Sequence, residues 1–310
     1  MQNNSVTITV EGKKYSIIKG TSLEKVKNDY FSEGKAIVVA AYVNNKIKEL
    51  TYPITEECNV SFVDLSTADG VRIYQRSLVF LLVKSFHDIF PDETIEVCHS
   101  VSKGLFFECS VEDLNEEDVQ KIEDRMRNLV NMNLPFEKKT MPTEKAKQIF
   151  LDKNRIDKYG AIKYREKPYV SFYKFDDMED YFYGFMVPSS GYLTLFRLEF
   201  DNGGIVLISP RITNPNTIEE HDIPQKLFQV FSEYRQWVSV LGVDNVGKLN
   251  DIVEAGKADE FIRISEAIHE KKIARIADMI YDKKDKLKVI LIAGPSSSGK
   301  TTFAQRLSIQ

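Results

Sequence analysis

The feature that most constrains this 310-residue chain is a glycine-bearing loop near its end. Residues 287–293 (LKVILIA) are almost entirely apolar, and GPSSSGKT follows at 294–301, in the pattern G-x-x-x-x-G-K-T. An apolar run before this pattern and the helix-forming TFAQRL after it predict a strand, a phosphate-binding loop and a helix. Gly294 and Gly299 allow the backbone to curl so that consecutive N–H groups point inward, where phosphate oxygens fit.

The residue types in this loop predict ATP and magnesium as cofactors. The Lys300 ammonium can lie against the β- and γ-phosphates, which gives Lys300 a catalytic role, and the Thr301 hydroxyl suits a magnesium ion. The predicted nucleotide-binding residues are Gly294, Ser296, Ser297, Ser298, Gly299, Lys300, Thr301 and Thr302. The chain stops at Gln310, before a second acidic ligand, a base and a lid could follow, so we expect this chain alone to be inactive in phosphoryl transfer and to bind ATP weakly.

The rest of the chain predicts an α+β fold in several domains. Alternating runs, a helix capped by Thr21 or Ser22, and two later strands predict a small ββαββ domain over residues 1–66. Residues 67–222 predict a larger α+β domain, with a buried helix over 76–90 stopped by Pro91 and a helix capped by Asn115. Residues 223–285 predict two connecting helices, and 286–310 the first strand and loop of an α/β domain.

Composition limits the partners and the compartment. Lys plus Arg number 42 against 46 Asp plus Glu, a net charge of -4, so any contact with nucleic acid must be local. Three cysteines, Cys58, Cys98 and Cys109, favour reduced thiols in a cytoplasmic protein. No targeting segment and no apolar run long enough to cross a bilayer is present, so we expect no membrane association.

Three further constellations give weaker signals. Cys98 and His99 suggest a metal site, but neighbouring residues on a strand point to opposite faces, which favours buried thiols and a surface imidazole. His221 and His269 lie in polar settings without a nucleophile motif, which argues against a hydrolase. Eight aromatic residues could stack nucleic-acid bases, although such clusters more often form core. They are Tyr169, Phe172, Tyr173, Phe175, Tyr181, Phe182, Tyr183 and Phe185.

At the loop, the GPSSSGKTT form resembles uridine kinases and phosphoribulokinases, and the whole chain resembles bacterial nucleoside kinases fused behind a threonyl-tRNA synthetase-like half. Residues 5–66, through GTSLEKV and AIVVAAYVNNKIKEL, resemble the β-grasp TGS domain. Residues 67 to about 215, through NEEDVQKIEDRMRNLVNMNLPFEKKTMPTEKAKQIF, resemble the second additional domain of threonyl-tRNA synthetase, which edits mischarged tRNA.

The resemblance implies a metal site whose ligands this chain has lost. Editing domains of that family carry His-x-x-x-His and Cys-x-x-x-His, and the matching positions here are Arg76, Phe80, Phe182 and Met186. An arginine, two phenylalanines and a thioether cannot form a tetrahedral zinc site. We therefore expect no zinc, and expect packing at these four positions instead.

Two functional hypotheses follow. In the first, the complete protein is an ATP-dependent nucleoside kinase that transfers the γ-phosphate to the 5′-hydroxyl of a uridine-like nucleoside, and this chain is its N-terminal portion. In the alternative, the synthetase-like domains form a regulatory module that binds tRNA or another nucleotide-bearing ligand. The net charge favours the first, and the sequence leaves a homo-oligomer open.

Overall fold

A computed structural model describes residues 4–31, 36–101, 104–220 and 225–310 of the chain. Within these ranges the chain is a mixed α+β protein with three sheets and several helices, which confirms the predicted class. It divides into two compact units. The first comprises Met1–Ile149 and Glu166–Trp237, and the second comprises Phe150–Arg165 and Val238–Gln310. His221 lies outside the described residues, and the ranges of the four predicted domains stay predictions.

The first unit begins with a five-stranded sheet. Its elements are β1 (Ser5–Val10), β2 (Lys13–Ile18), α1 (Leu23–Tyr30), β3 (Val38–Val43), β4 (Lys46–Glu49) and β5 (Cys58–Asp64). The strand order is β2-β1-β5-β3-β4, with β1 and β5 parallel and the other pairs antiparallel. Glu11 and Gly12 turn the β1–β2 hairpin with φ of 47° and 80°, and Ser22 caps α1 by accepting a hydrogen bond from the Lys25 N–H. The short β4 is additional to the predicted ββαββ order.

A larger α+β region completes the first unit. Its helices are α2 (Ala68–Ile89), α3 (Glu116–Met132), α4 (Thr143–Asp152, shared with the second unit) and α6 (Gln225–Val240, in this unit as far as Trp237). One sheet contains β6 (Ile95–Val101), β7 (Gly104–Cys109), β11 (Arg197–Asp201) and β12 (Gly204–Ile208) in the order β11-β12-β7-β6. The other contains β8 (Phe136–Pro142), β9 (Tyr169–Phe175) and β10 (Met178–Tyr181) in the order β10-β9-β8.

Helix α2 organises the main core of this region. It is capped by Thr67 and begins at Ala68. The sequence analysis placed its start eight residues later, at Arg76, because polar residues in the first turns hide the helical pattern. Phe80, Leu81 and Phe86 on α2 are fully buried in one cluster with Ile122 and Met126 of α3. At roughly 1.5–3 kcal/mol for each large apolar side chain, this cluster is the main stabilising contribution to the unit.

The second unit is helical. It contains α5 (Ile156–Lys163), α7 (Val246–Glu254), α8 (Ala258–Tyr281) and α9 (Lys300–Ile309). Helices α5 and α7 approach closely at Gly160 and Gly247, where a Cβ on Gly247 would lie 2.8 Å from the Gly160 backbone. Lys163 and Tyr164 hold the same pair of helices together by donating to Asp251 Oδ1 at 2.8 and 2.7 Å.

The predicted strand over residues 287–293 is wrong, because the structure has no strand there. A strand is stable only when a neighbouring strand accepts and donates its backbone hydrogen bonds, and no described strand pairs with this segment. Its apolar side chains are correspondingly exposed, Leu291 by 89% and Val289 by 72%. The following helix, α9, does form and begins at Lys300 as predicted.

None of the helices in the described ranges is both long enough and apolar enough to cross a membrane.

Candidate functional site

The four positions at which the family resemblance implies lost metal ligands lie around one apolar cluster. The rings of Phe80 and Phe182 lie 4.7 Å apart, and Phe80 also packs against Phe136 and Phe175 at 5.9 Å. Met186 is 1% exposed and belongs to the same cluster. Arg76, one turn before Phe80 on α2, donates from Nη1 to the Phe185 carbonyl at 2.7 Å. Apolar side chains and one arginine therefore fill this part of the unit.

Gly184 is required for the arginine to lie there. Its φ is +114°, and a Cβ at this position would lie 2.5 Å from Arg76 Cζ. Burial lowers the pKa of Arg76, whereas Tyr173 and Glu49 act in the opposite direction. The guanidinium therefore stays a cation in a half-buried setting.

Glu49, at the end of β4, reaches from the five-stranded sheet into this cluster. Its Oε1 accepts hydrogen bonds from the Tyr173 hydroxyl and from the Met186 N–H, the latter at 3.2 Å. Its Oε2 lies 3.6 Å from Lys138 Nζ, and the side chain is 13% exposed. Sequence reasoning missed Glu49 because nothing in KIKEL marks one glutamate as buried.

The eight aromatic residues weighed for base stacking differ in burial, and three of them, Tyr181, Phe182 and Phe185, are partly buried. Phe172, Tyr173 and Phe175 are buried, as the core interpretation predicts. Tyr169 and Tyr183, in contrast, are 59% and 78% exposed. Tyr169 lies on the same face of the sheet as Lys138, because Pro142 pairs with Tyr169 and Lys138 pairs with Tyr173. We call Lys138 and Tyr169 the β8–β9 surface; Tyr183, which follows β10, is a second exposed tyrosine.

The side chains of Cys98 and His99 contact the same helix, α6, although strand alternation predicts that neighbouring residues point to opposite faces of the sheet. The β6–β7 register shifts between Val97 and His99, and this bulge allows both side chains to contact α6. Cys98 contacts Arg235, and the His99 ring stacks on Phe231 at 4.6 Å. The expectation of a surface imidazole is also wrong, because His99 Nε2 is buried without a hydrogen-bond partner. No group of His, Cys, Asp and Glu suited to a metal occurs among the described residues.

The phosphate-loop residues lie together at the start of α9. Ser297 and Gly299 have left-handed backbones, with φ of 59° and 77°, and α9 begins at Lys300. A Cβ on Gly294 would lie 2.8 Å from Ser298 Oγ, so glycine is needed for this curl. Lys300 Nζ donates to the carbonyls of Gly294 and Pro295 at 3.0 and 2.6 Å. Ser296, Ser297, Thr301 and Thr302 are exposed around this loop.

A cavity of about 630 Å³ adjoins the loop within the second unit. Its walls include Gly294, Gly299 and Lys300 of the loop, His269 of α8, and Arg306 of α9, which is ion-paired with Glu270. Two basic side chains and a histidine therefore surround the space next to the loop.

The chain is similar in its N-terminal half to threonine–tRNA ligases. The enzyme of Fusobacterium nucleatum is 32% identical over 165 residues, which is 52% of this chain and 26% of the ligase. Threonine–tRNA ligase 1 of Bacillus subtilis is 28% identical over 192 residues, 61% of this chain and 30% of the ligase. The enzyme of Acetivibrio thermocellus is 24% identical over 182 residues, 58% of this chain and 29% of the ligase.

These relatives are matched over less than a third of their own length. No family model matches the chain. The similarity supports the predicted threonyl-tRNA synthetase-like N-terminal region.

The prediction that the complete protein is a nucleoside kinase is contradicted, because the relatives are named as ligases for threonine and tRNA. The structure also lacks the strand that the kinase interpretation placed before the loop. A short loop motif, even with the correct spacing, was therefore given too much weight against the half of the chain that has recognisable relatives.

Proposed function

We propose that the first unit is a tRNA-binding module derived from the editing region of a threonine–tRNA ligase, without metal chemistry of its own. The observation that carries the proposal is the similarity to threonine–tRNA ligases over the N-terminal half, together with the apolar filling at three of the four positions where the resemblance implies lost ligands. The apolar side chains of Phe80, Phe182 and Met186 fill the space where a hydrolytic water would need polar ligands. Binding is therefore the activity that these residues support.

The β8–β9 surface and Tyr183 supply the chemistry that RNA recognition needs. Tyr169 and Tyr183 present exposed rings on which unpaired bases can stack, a contribution of roughly 1–3 kcal/mol per base. Lys138 lies on the same face of the sheet as Tyr169, and Lys145 and Lys167 are exposed just after the end of β8 and just before the start of β9. This local positive charge is compatible with a net charge of -4 for the chain.

The test is a titration of fluorescently labelled bacterial tRNA with the protein at two salt concentrations. We expect the Tyr169→Ala, Tyr183→Ala double variant to bind at least about 10-fold more weakly, since two stacking contacts are lost. Tyr234→Ala removes a tyrosine on α6 that is 68% exposed and is the matched control. Failure of the wild-type protein to bind tRNA even at low salt, or equal loss in the control, would contradict the proposal.

A second proposal concerns the loop over residues 294–302, which we infer binds the phosphates of a nucleotide. The left-handed Ser297 and Gly299, the close approach at Gly294 and the adjoining cavity support it. Lys300 would give up its hydrogen bonds to the Gly294 and Pro295 carbonyls and bind the phosphates instead. Thr301 is the residue that would hold magnesium.

Calorimetry with ATP and magnesium tests the loop directly. We expect weak binding, because no sheet holds the preceding segment, and we expect Lys300→Ala to abolish it. Lys284→Ala, at an exposed lysine outside the loop, is the control. Binding that is unchanged by Lys300→Ala would remove the loop from the nucleotide site.

A further inference from the structure

Glu49 occupies a site built by another part of the first unit. The groups that meet its carboxylate come from β8, β9 and the segment before the short 3-10 helix at Ser190–Tyr192, whereas Glu49 itself is on β4. The Tyr173 hydroxyl and the Met186 N–H donate hydrogen bonds to Oε1, and the Lys138 ammonium forms an ion pair with Oε2. Two neutral donors and a cation therefore surround a single carboxylate.

The receiving groups are held in place by contacts that do not involve Glu49. The Tyr173 hydroxyl lies 2.8 Å from the Gly184 carbonyl, to which it can donate when no carboxylate is present. Lys138 Nζ lies 4.7 Å from the centre of the Phe185 ring and 5.5 Å from that of Tyr173. The site is thus preorganised, which lowers the entropy lost on binding an anion.

The shape of the site suits a carboxylate. Its donors address two oxygens of one planar group, and the surrounding Phe80, Phe182 and Met186 are apolar. Carboxylates accept charge-assisted hydrogen bonds from such donors strongly, and leaving those donors unmatched costs free energy. A protein side chain is one source of that group, and a small free acid is another.

We propose that Lys138, Tyr173 and the Met186 N–H form a carboxylate-binding site that Glu49 fills in cis and that admits a small monocarboxylate when Glu49 is removed. The site shares Lys138 with the β8–β9 surface, but it is filled by Glu49 of the same chain whether or not the first unit binds tRNA. Its consequence is that β4 acts as a tethered ligand that closes the site and joins the five-stranded sheet to the rest of the unit.

Chemical rescue tests the site with acetate as the probe. Glu49→Ala in the full chain should lower the melting temperature of the first unit by at least about 5 °C, because a buried carboxylate partner is lost. Sodium acetate at about 100 mM, a concentration suited to so small and weak a ligand, should restore at least half of that loss, whereas sodium chloride of equal ionic strength should not. Glu179→Ala removes a surface carboxylate paired with Lys139 at 2.5 Å and should show no acetate effect.

Acetate that restores both variants equally, or neither, would overturn the proposal. If Glu49→Ala does not fold in chloride, a double-mutant cycle with Glu49→Gln and Tyr173→Phe, which conserve volume, decides the question. The loss in melting temperature caused by Tyr173→Phe should shrink at least twofold in the Glu49→Gln background. Additive losses would show that the carboxylate and the hydroxyl do not act on one another.

Discussion

His99 shows how one residue can be placed by a bulge rather than by strand alternation. Its ring lies among Phe106, Phe228 and Phe231, and its Nε2 is buried without a partner. Burial, followed by the nearby Arg235, lowers the pKa of His99 from the ordinary value of 6.5. The folded protein therefore favours the neutral imidazole.

We predict a pH dependence of stability from this residue. Because the unfolded chain binds the proton more readily than the folded chain, stability should be complete above about pH 6.5 and should fall as the pH drops below that value. Melting temperatures of the first unit between about pH 7.5 and 5 measure the loss. His99→Phe should flatten this part of the profile, whereas His269→Gln, at an exposed histidine of the second unit, should leave it unchanged. An equal slope in all three proteins would contradict the assignment.

The residues around Glu49 show which single positions the sequence could predict and which it could not. The positions of Arg76, Phe80, Phe182 and Met186 came from the family resemblance, and the structure brings them to one cluster. Glu49 could not be found in that way, because its burial depends on Tyr173 and Met186, more than a hundred residues away in the sequence. Long-range hydrogen bonds of this kind leave no local pattern.

Among the elements, α3 has a complete set of local signals. Asn115 accepts hydrogen bonds from the Glu117 and Asp118 N–H groups at 3.0 and 3.2 Å, and the first turn is acidic. The buried residues of the helix step by three and four, and Asn133 ends it with a φ of 51°. Capping, charge and periodicity agree, which is why the sequence sufficed to predict it.

We predict that Asn115→Ala destabilises the first unit by about 1 kcal/mol, since two N–H groups at the start of α3 lose their acceptor. Asn115→Asp keeps an acceptor oxygen next to the positive end of the helix dipole and should cost little. Urea denaturation followed by circular dichroism measures both. A loss in Asn115→Asp as large as in Asn115→Ala would show that the cap is not the source of the effect.

The elements that were missed or wrongly predicted share a different cause. Strands β4 and β10 have four residues each, and β8 is mostly polar and exposed, so none has a clear period of two. The segment over 287–293 has the composition of a strand but no partner in the described ranges. Strand formation is therefore decided by pairing, which composition does not report.

For the whole molecule, the sequence identified the α+β class and the synthetase-like half, whereas the four predicted domain ranges stay predictions. Residues 150–165 belong to the second unit although the first unit continues on both sides of them. Helix α5 joins α7 across 88 residues of sequence, through Lys163 and Asp251. A linear reading of composition cannot detect such a discontinuous unit, because it assigns neighbouring residues to the same domain.

The end of the first unit gives the last prediction. The sequence analysis ended the larger domain at residue 222, but α6 contributes to this unit as far as Trp237. Phe228 is buried against Phe106, Val206 and Ile208, and Arg235 pairs with Glu96 and Glu108 at 3.2 and 3.1 Å. Removing this helix would expose the face of β6, β7 and β12 that it covers.

We therefore predict that a chain of residues 1–222 melts at least about 5 °C below a chain of residues 1–237, because burial worth a few kcal/mol is lost. Calorimetry of both chains measures the difference, and the full chain supplies the reference transition of the first unit. Phe228→Ala in the 1–237 chain should reproduce a large part of the loss, since it removes the buried ring and keeps the backbone. Tyr234→Ala, on an exposed side of the same helix, should not. If the 1–222 chain melts at the same temperature as the 1–237 chain, α6 contributes nothing to the stability of this unit, and the unit ends at residue 222, as the sequence predicted.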